Sequence, residues 1–162
     1  MYELPQPLAM RLAQTHDQLF LDALFATSRE DLSQAGLPEP LLAALLKTQQ
    51  LTQQAGFSHH YPLAEHFILE SSGVPVGRVV VHVDETGMRL LDIAVAPQAR
   101  RNCWAKTVLA ALKASARQRQ LALNLAVAKT NHAARRLYLG QGFTVRSEDG
   151  LVEQMVWQGR ER

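Results

Sequence analysis

Two short segments carry residue types that can bind an anion and move a proton. In the first, Leu91-Asp92-Ile93-Ala94-Val95-Ala96-Pro97 runs into Gln98-Ala99-Arg100-Arg101-Asn102-Cys103-Trp104-Ala105-Lys106. The pattern predicts a strand, a tight turn and a helix that opens among basic residues. A helix N-terminus presents N–H groups without intrahelical partners and the positive end of its dipole, so it binds phosphate. Arg100, Arg101 and Lys106 add full charges around that end. An ordinary strand-to-helix connection with its arginines in water fits the spacing equally well. The second segment is Asn131-His132-Ala133-Ala134-Arg135-Arg136-Leu137-Tyr138, followed by Gly142-Phe143. Ala134, Leu137 and Tyr138 fall on adjacent turns of one short helix. A tyrosine there packs in the core or holds its hydroxyl at a cleft, where it can act as a general acid.

The charge distribution sharpens the first reading. Across residues 93–147 there is no Asp or Glu, and ten basic side chains, among them Lys113, Arg117, Lys129 and Arg135. Residues 1–92 carry eleven acidic and five basic side chains, a net of −6. An acidic half is thus followed by a basic one, which implies an anionic partner: a phosphorylated small molecule or a nucleic acid. The sequence lacks aromatics interleaved with the basic residues and lacks helix-turn-helix spacing, so nucleic acid is not the expected partner.

Composition narrows the class. The chain has 162 residues, 47% of them apolar, which suits one domain (1–162) with one core. No apolar run reaches the ~18 residues that cross a bilayer, and no signal peptide is read at the N-terminus. The single cysteine, Cys103, excludes an internal disulfide. No metal-ligand spacing is present. A cytoplasmic protein without metal or membrane contact is expected.

The elements that must position these segments read as follows. A short strand covers residues 8–13, and a helix residues 17–25. Ser28-Arg29-Glu30-Asp31 has the S-x-x-D pattern of a capped helix start. Pro38-Glu39-Pro40 opens a longer helix with Leu41, Leu42, Leu45 and Leu46 as its apolar stripe and Gly56 as its stop. Strands over 65–71, 76–84 and 88–96 form a meander through Ser72-Gly73 and Glu85-Thr86-Gly87. A helix over 101–119, a strand over 121–128, a helix over 131–141 capped by Asn131, and a hairpin of 143–148 with 151–157 complete the chain. The order gives an α/β (α+β) fold with a mixed sheet.

Together the two segments resemble the GNAT acetyltransferase family. Its pattern is a strand ending near proline, the loop R/Q-x-x-G-x-G/A opening a helix, a further strand, and N-x-x-A-x-x-x-Y followed by G-F. Arg100 and Ala105 match the loop; Asn131, Ala134, Tyr138 and Gly142-Phe143 match the second motif. The strand order also matches, and the resemblance spans about residues 65–157. It implies a mostly antiparallel central sheet that binds acetyl-CoA as co-substrate. Backbone amides of Arg101, Asn102, Cys103, Trp104, Ala105 and Lys106 are implied to hold the pyrophosphate. The main chain of Ile93, Ala94 and Val95 is implied to pair with the pantetheine arm, beside Asn131. An amide near Val95 would polarise the acyl carbonyl, and Tyr138 would protonate the departing thiolate. The acceptor is an amine that attacks directly. Family members often dimerise, and the chain marks no surface for it.

One position departs from the pattern. Cys103 stands where the first loop glycine is expected, and its Cβ and sulfur crowd the approach to the phosphates. Trp104 follows where a medium-sized apolar side chain is usual. A catalytically weak relative that binds acyl-CoA or a partner is therefore the second reading. Cys103 at a helix start beside arginine is also a candidate reactive thiol, or simply a small hydrophobe. Glu65, Glu70, Asp92, His59 and His60 are the candidates for a general base.

Overall fold

The computed structural model describes residues 2–159, with the side chain of Arg101 outside that description. Seven strands form one sheet in the order β1-β2-β3-β4-β5-β7-β6. They are β1 (Leu8–Leu12), β2 (Glu65–Ser71), β3 (Val74–Val83), β4 (Met88–Val95), β5 (Leu123–Ala128), β6 (Thr144–Glu148) and β7 (Val152–Trp157). Every neighbouring pair is antiparallel except β4 with β5. Among the described residues five α-helices join them: α1 (Gln18–Thr27), α2 (Glu30–Ser33), α3 (Glu39–His60), α4 (Trp104–Arg119) and α5 (His132–Gly140).

Turn chemistry fixes the register. Ser72 and Gly73 both have positive φ, 50° and 79°, and link Ser71 to its partner Val74. Two left-handed residues in a two-residue loop match the twist of the strands they join. At the other end of the chain, the Asp149 carboxylate accepts hydrogen bonds from the Leu151 and Val152 amides and closes the β6–β7 hairpin.

The main core lies under α4. Val79, Val81, Met88 and Leu90 from the sheet meet Val108, Leu109, Leu112 and Ala116 from the helix, all buried. α5 joins the same layer through Tyr138, Leu137 and Ala134. On the opposite sheet face Ile68 and Val80 are fully buried, and α1 packs against β3.

The N-terminal helices depart from expectation. Ser28 does not cap α2; its hydroxyl donates to the Phe25 carbonyl at 2.6 Å and so closes α1 instead. Helix α3 runs through Gly56 to His60, because a lone glycine in a helix costs only about 1 kcal/mol. Its leucines form no buried stripe: Leu41 is 47% exposed, and the one buried residue of α3 is Gln50. Helix α4 starts at Trp104 rather than Arg101, after a 3₁₀ segment over Pro97–Asn102.

Gly77 on β3 lies opposite Val95, where a Cβ would meet the Ala94 carbonyl oxygen at 2.5 Å. Both partners are backbone, so the clash cannot be relieved by a rotamer change. Gly77→Ala is expected to destabilise by about 2 kcal/mol and lower the Tm by about 6 °C in a thermal melt. An unchanged Tm would show that β3 and β4 are not held this closely.

Candidate functional site

The site begins where two strands part. β4 pairs with β5 only from Met88 to Leu90, against Leu123 to Leu125. The register with β3 shifts there: Val81 faces Leu90 and Val80 faces Asp92, leaving Leu91 unmatched. Such a bulge bends its strand and increases the local twist. It also breaks the simple alternation of β4. Leu90 joins the core beneath α4, while Asp92 goes with Val80 and Arg78 to the opposite face. Beyond the bulge β4 stays with β3 to Val95, and β5 stays with β7 to Ala128. The β4 edge toward β5 is left without a strand.

The gap is a cavity of about 170 Å³ lined by residues 90–93 and 125–128, Asn131, Ala134 and Tyr138. It is flanked by a larger hollow of about 510 Å³. There Ile93, Ala94, Val95, Arg100, Asn131 and Ala133 face the α1–α2 region, including Glu30 and Asp31. Tyr138 is 7% exposed and packs on Phe143, with ring centroids 5.8 Å apart. Burial, and next the Asp92 carboxylate, push its phenol up to about 12, and no hydrogen bond contributes. Asn131 accepts from the Ala134 amide at 3.2 Å, so the side chain expected beside the cleft also caps α5.

At the far end of β4 the backbone turns sharply into α4. Asn102 ends the 3₁₀ segment, and Cys103 turns left-handed at φ 57°, ψ 28°. A right-handed residue followed by a left-handed one gathers successive N–H groups into a concavity. The first α4 bond runs from the Thr107 amide to the Cys103 carbonyl, and no side chain caps the helix. The amides of Trp104, Ala105 and Lys106 precede that bond and have no helical acceptor. Arg100 donates to the Val95 carbonyl at 3.1 Å and lies 3.8 Å from Glu30. Lys106 lines a groove between α4 and α5 with Arg136. Cys103 is exposed, whereas Trp104 is half-buried against the core and Ala105 half-buried.

The opposite sheet face holds residues that the sequence reading did not single out. Arg78 has a side chain only 9% exposed, and its Nε lies 3.3 Å from the Asp92 Oδ2 without hydrogen-bond alignment. Its Nη2 donates to Gln53 at 3.4 Å, and its guanidinium lies over Phe57. Burial pushes the Arg78 pKa down, against the pull of Asp92. Burial pushes Asp92 up, against Arg78 and Arg29. Half-buried His66 is pushed down by burial and then by Arg78. A signal for Arg78 was present: it is the one charged residue in the apolar run Val74–Val83.

Of the five candidate bases, only Asp92 lines the gap. Glu70 is bound to Arg11 at 3.0 Å and Glu65 is exposed. His59 and His60 sit in the last turn of α3, exposed and not in a loop, with ring centroids 4.8 Å apart.

Comparison with known proteins agrees with this geometry. A family model described as the acetyltransferase (GNAT) family matches residues 23–143. No curated protein matches the chain in sequence. Among solved structures, PaiA N-acetyltransferase from Thermoplasma acidophilum in complex with coenzyme A is similar, with TM-score 0.69 and 17% identity. The match covers 93% of this chain and 98% of that one. An acetyltransferase from Thermus thermophilus gives TM-score 0.68 and 18% identity over 98% and 99% of the two chains. Spermidine N-acetyltransferase from Vibrio cholerae in complex with CoA and spermine gives 0.65 and 18% over 95% and 96%. At these identities the likeness shows the fold.

A non-glycine residue in the left-handed region costs about 1–2 kcal/mol, partly offset by glycine's greater loss of chain entropy. Cys103→Gly is therefore expected to stabilise by about 0.5–1 kcal/mol and raise the Tm by about 2 °C. Cys103→Val, β-branched, should lower it. A lower Tm for the glycine variant would show that the sulfur makes a contact worth more than the strain.

Proposed function

The chain belongs to the GNAT acetyltransferase family, and on that premise we propose that it is a single-domain N-acetyltransferase moving an acetyl group from acetyl-CoA to a primary amine. One observation carries the reading: the parting of β4 from β5 leaves a strand edge open between a buried tyrosine and an uncapped helix start.

The cofactor lies along that opening. Its pantetheine arm pairs with the main chain of Ile93, Ala94 and Val95 like an added strand, beside Asn131 and Ala134. Its pyrophosphate sits on the amides from Arg101 to Lys106, with Arg100 turning from the Val95 carbonyl toward the charge. The left-handed Cys103 supports this, because the loop keeps the backbone form that a glycine would give it. The groove holding Lys106 and Arg136 suits the remaining phosphate of the nucleotide.

The chemistry is direct. The amine lone pair attacks the thioester carbonyl carbon, and an N–H near Val95 steadies the oxyanion. The C–N bond forms, the C–S bond breaks, and Tyr138 gives its proton to the leaving sulfur. A phenol held protonated up to about 12 is available as an acid throughout the working range. Asp92 takes the proton from the attacking amine, directly or through water, since it is the one candidate base that lines the gap.

The test is thiol release from acetyl-CoA across a panel of amines. Tyr138→Phe is expected to lower kcat by roughly 10²-fold with little change in the affinity for acetyl-CoA. As a base Asp92 must be ionised, so kcat should fall as pH drops through its pKa. Burial raises that pKa above the usual ~3.9, and the acid limb should vanish in the residual activity of Asp92→Asn. Unchanged turnover in Tyr138→Phe would remove it as the acid. Silence across the whole panel with coenzyme A bound would favour the second reading, a binding module.

A further inference from the structure

On the sheet face away from α4, the structure has a second hollow of about 310 Å³ beside the proposed catalytic carboxylate. Gln14, Gln18, Gln54, Ser58, His66 and Arg78 contribute its polar lining. Among the described residues, none that lines it is acidic. The nearby carboxylates are already engaged: Asp17 by Arg11 at 2.8 Å on both oxygens, and Asp22 by Gln18 and Gln50. The one cation of the lining is Arg78, nine-tenths buried, with an Nε that makes no hydrogen bond.

A buried guanidinium costs much to desolvate unless its donors are used. Here five N–H donors meet one long contact to Gln53 at 3.4 Å and a misaligned approach to Asp92 at 3.3 Å. The flat fork of an arginine is matched by a carboxylate that accepts two parallel bonds. Arg78 thus keeps donor capacity toward the hollow, while its neighbour Asp92 faces the gap between β4 and β5. Cation and anion stand side by side 3.3 Å apart, Arg78 lining one cavity and Asp92 the other.

We infer that the amine acceptor is a free α-amino acid, whose carboxylate is received by Arg78 while its amine is received by Asp92. This rests on the acetyl-transfer reading above. An α-amino acid carries its ammonium and carboxylate on one carbon, the same adjacency of opposite charges that Asp92 and Arg78 present. Its side chain then lies among the glutamines and Ser58, which suits a polar, uncharged group. A polyamine, with no anion to offer, would leave Arg78 unmatched and bring cationic charge toward it.

Four acceptors built on glutamine decide the matter: glutamine itself, its α-carboxamide, its decarboxylated amine, and the N-terminus of a glutaminyl dipeptide, with spermidine beside them. Glutamine is expected to show a kcat/KM roughly 30-fold above its carboxamide and decarboxylated forms, mostly through KM. Arg78→Gln should erase that preference, Arg78→Lys should restore part of it, and melting curves show whether each variant is folded. Calorimetry with unacylated coenzyme A present reads the same preference without turnover. Equal use or equal binding of the carboxylate-free amines, or a preference for spermidine or the dipeptide, overturns the inference while acetyl transfer stands. Selective binding of glutamine without any transfer would overturn the acetyl-transfer reading and leave Arg78 as the carboxylate site. Absence of binding by every amine overturns the inference.

Discussion

A strand edge inside a fold must find hydrogen-bond partners, and the β4 edge beyond Leu90 has none in the sheet. The constraint that produces it is a single unmatched residue. Leu91 adds one position to β4, and the added twist carries the strand away from β5. Everything at the site follows from that divergence. The same step that opens the edge also turns Asp92 to the face opposite Leu90. Asp92 thereby lines the gap without entering the core beneath α4.

The rest of the architecture keeps the gap from collapsing. β3 holds β4 on its other side to Val95, through a close approach that only Gly77 permits. β7 holds β5 to Ala128. Helix α5 lies across the cleft with its start tied by Asn131 and its Tyr138 buried against Phe143. Arg135 clamps this helix to the sheet through the buried Glu153. At the end of β4, Pro97 has no N–H for further strand pairing, and the 3₁₀ segment and left-handed Cys103 lead into the start of α4. The fold thus supplies the cavity, a buried phenol, a carboxylate and an array of amides from five consecutive elements.

Much of this was legible in the residues. The strand over 65–71, the Ser72-Gly73 turn and the Asn131 cap are local chemistry, and the structure has each where the sequence puts it. The second motif was legible because its helix is short and its periodicity places Tyr138 inward. Three features were not. The bulge at Leu91 has no marker, since Leu-Leu-Asp reads as ordinary alternation. The end of α1 is set by Ser28 turning backward, and α3 passes through Gly56, which has open space around it, to end at His60. The Arg78–Asp92 pair is long-range, joined by strand register, and a lone arginine among valines only hints at it. Local signals gave the elements; the site's second face depended on how they pair.

Coenzyme A is proposed to complete the β4 edge and to rest on the α4 amides. Hydrogen–deuterium exchange of the backbone, with and without acetyl-CoA, tests it at the atoms concerned. The account predicts slowed exchange at Ile93 and Val95 and at the amides from Cys103 to Lys106, with β1 and β2 unchanged. Protection confined to other segments, or none at saturating acetyl-CoA, would contradict it.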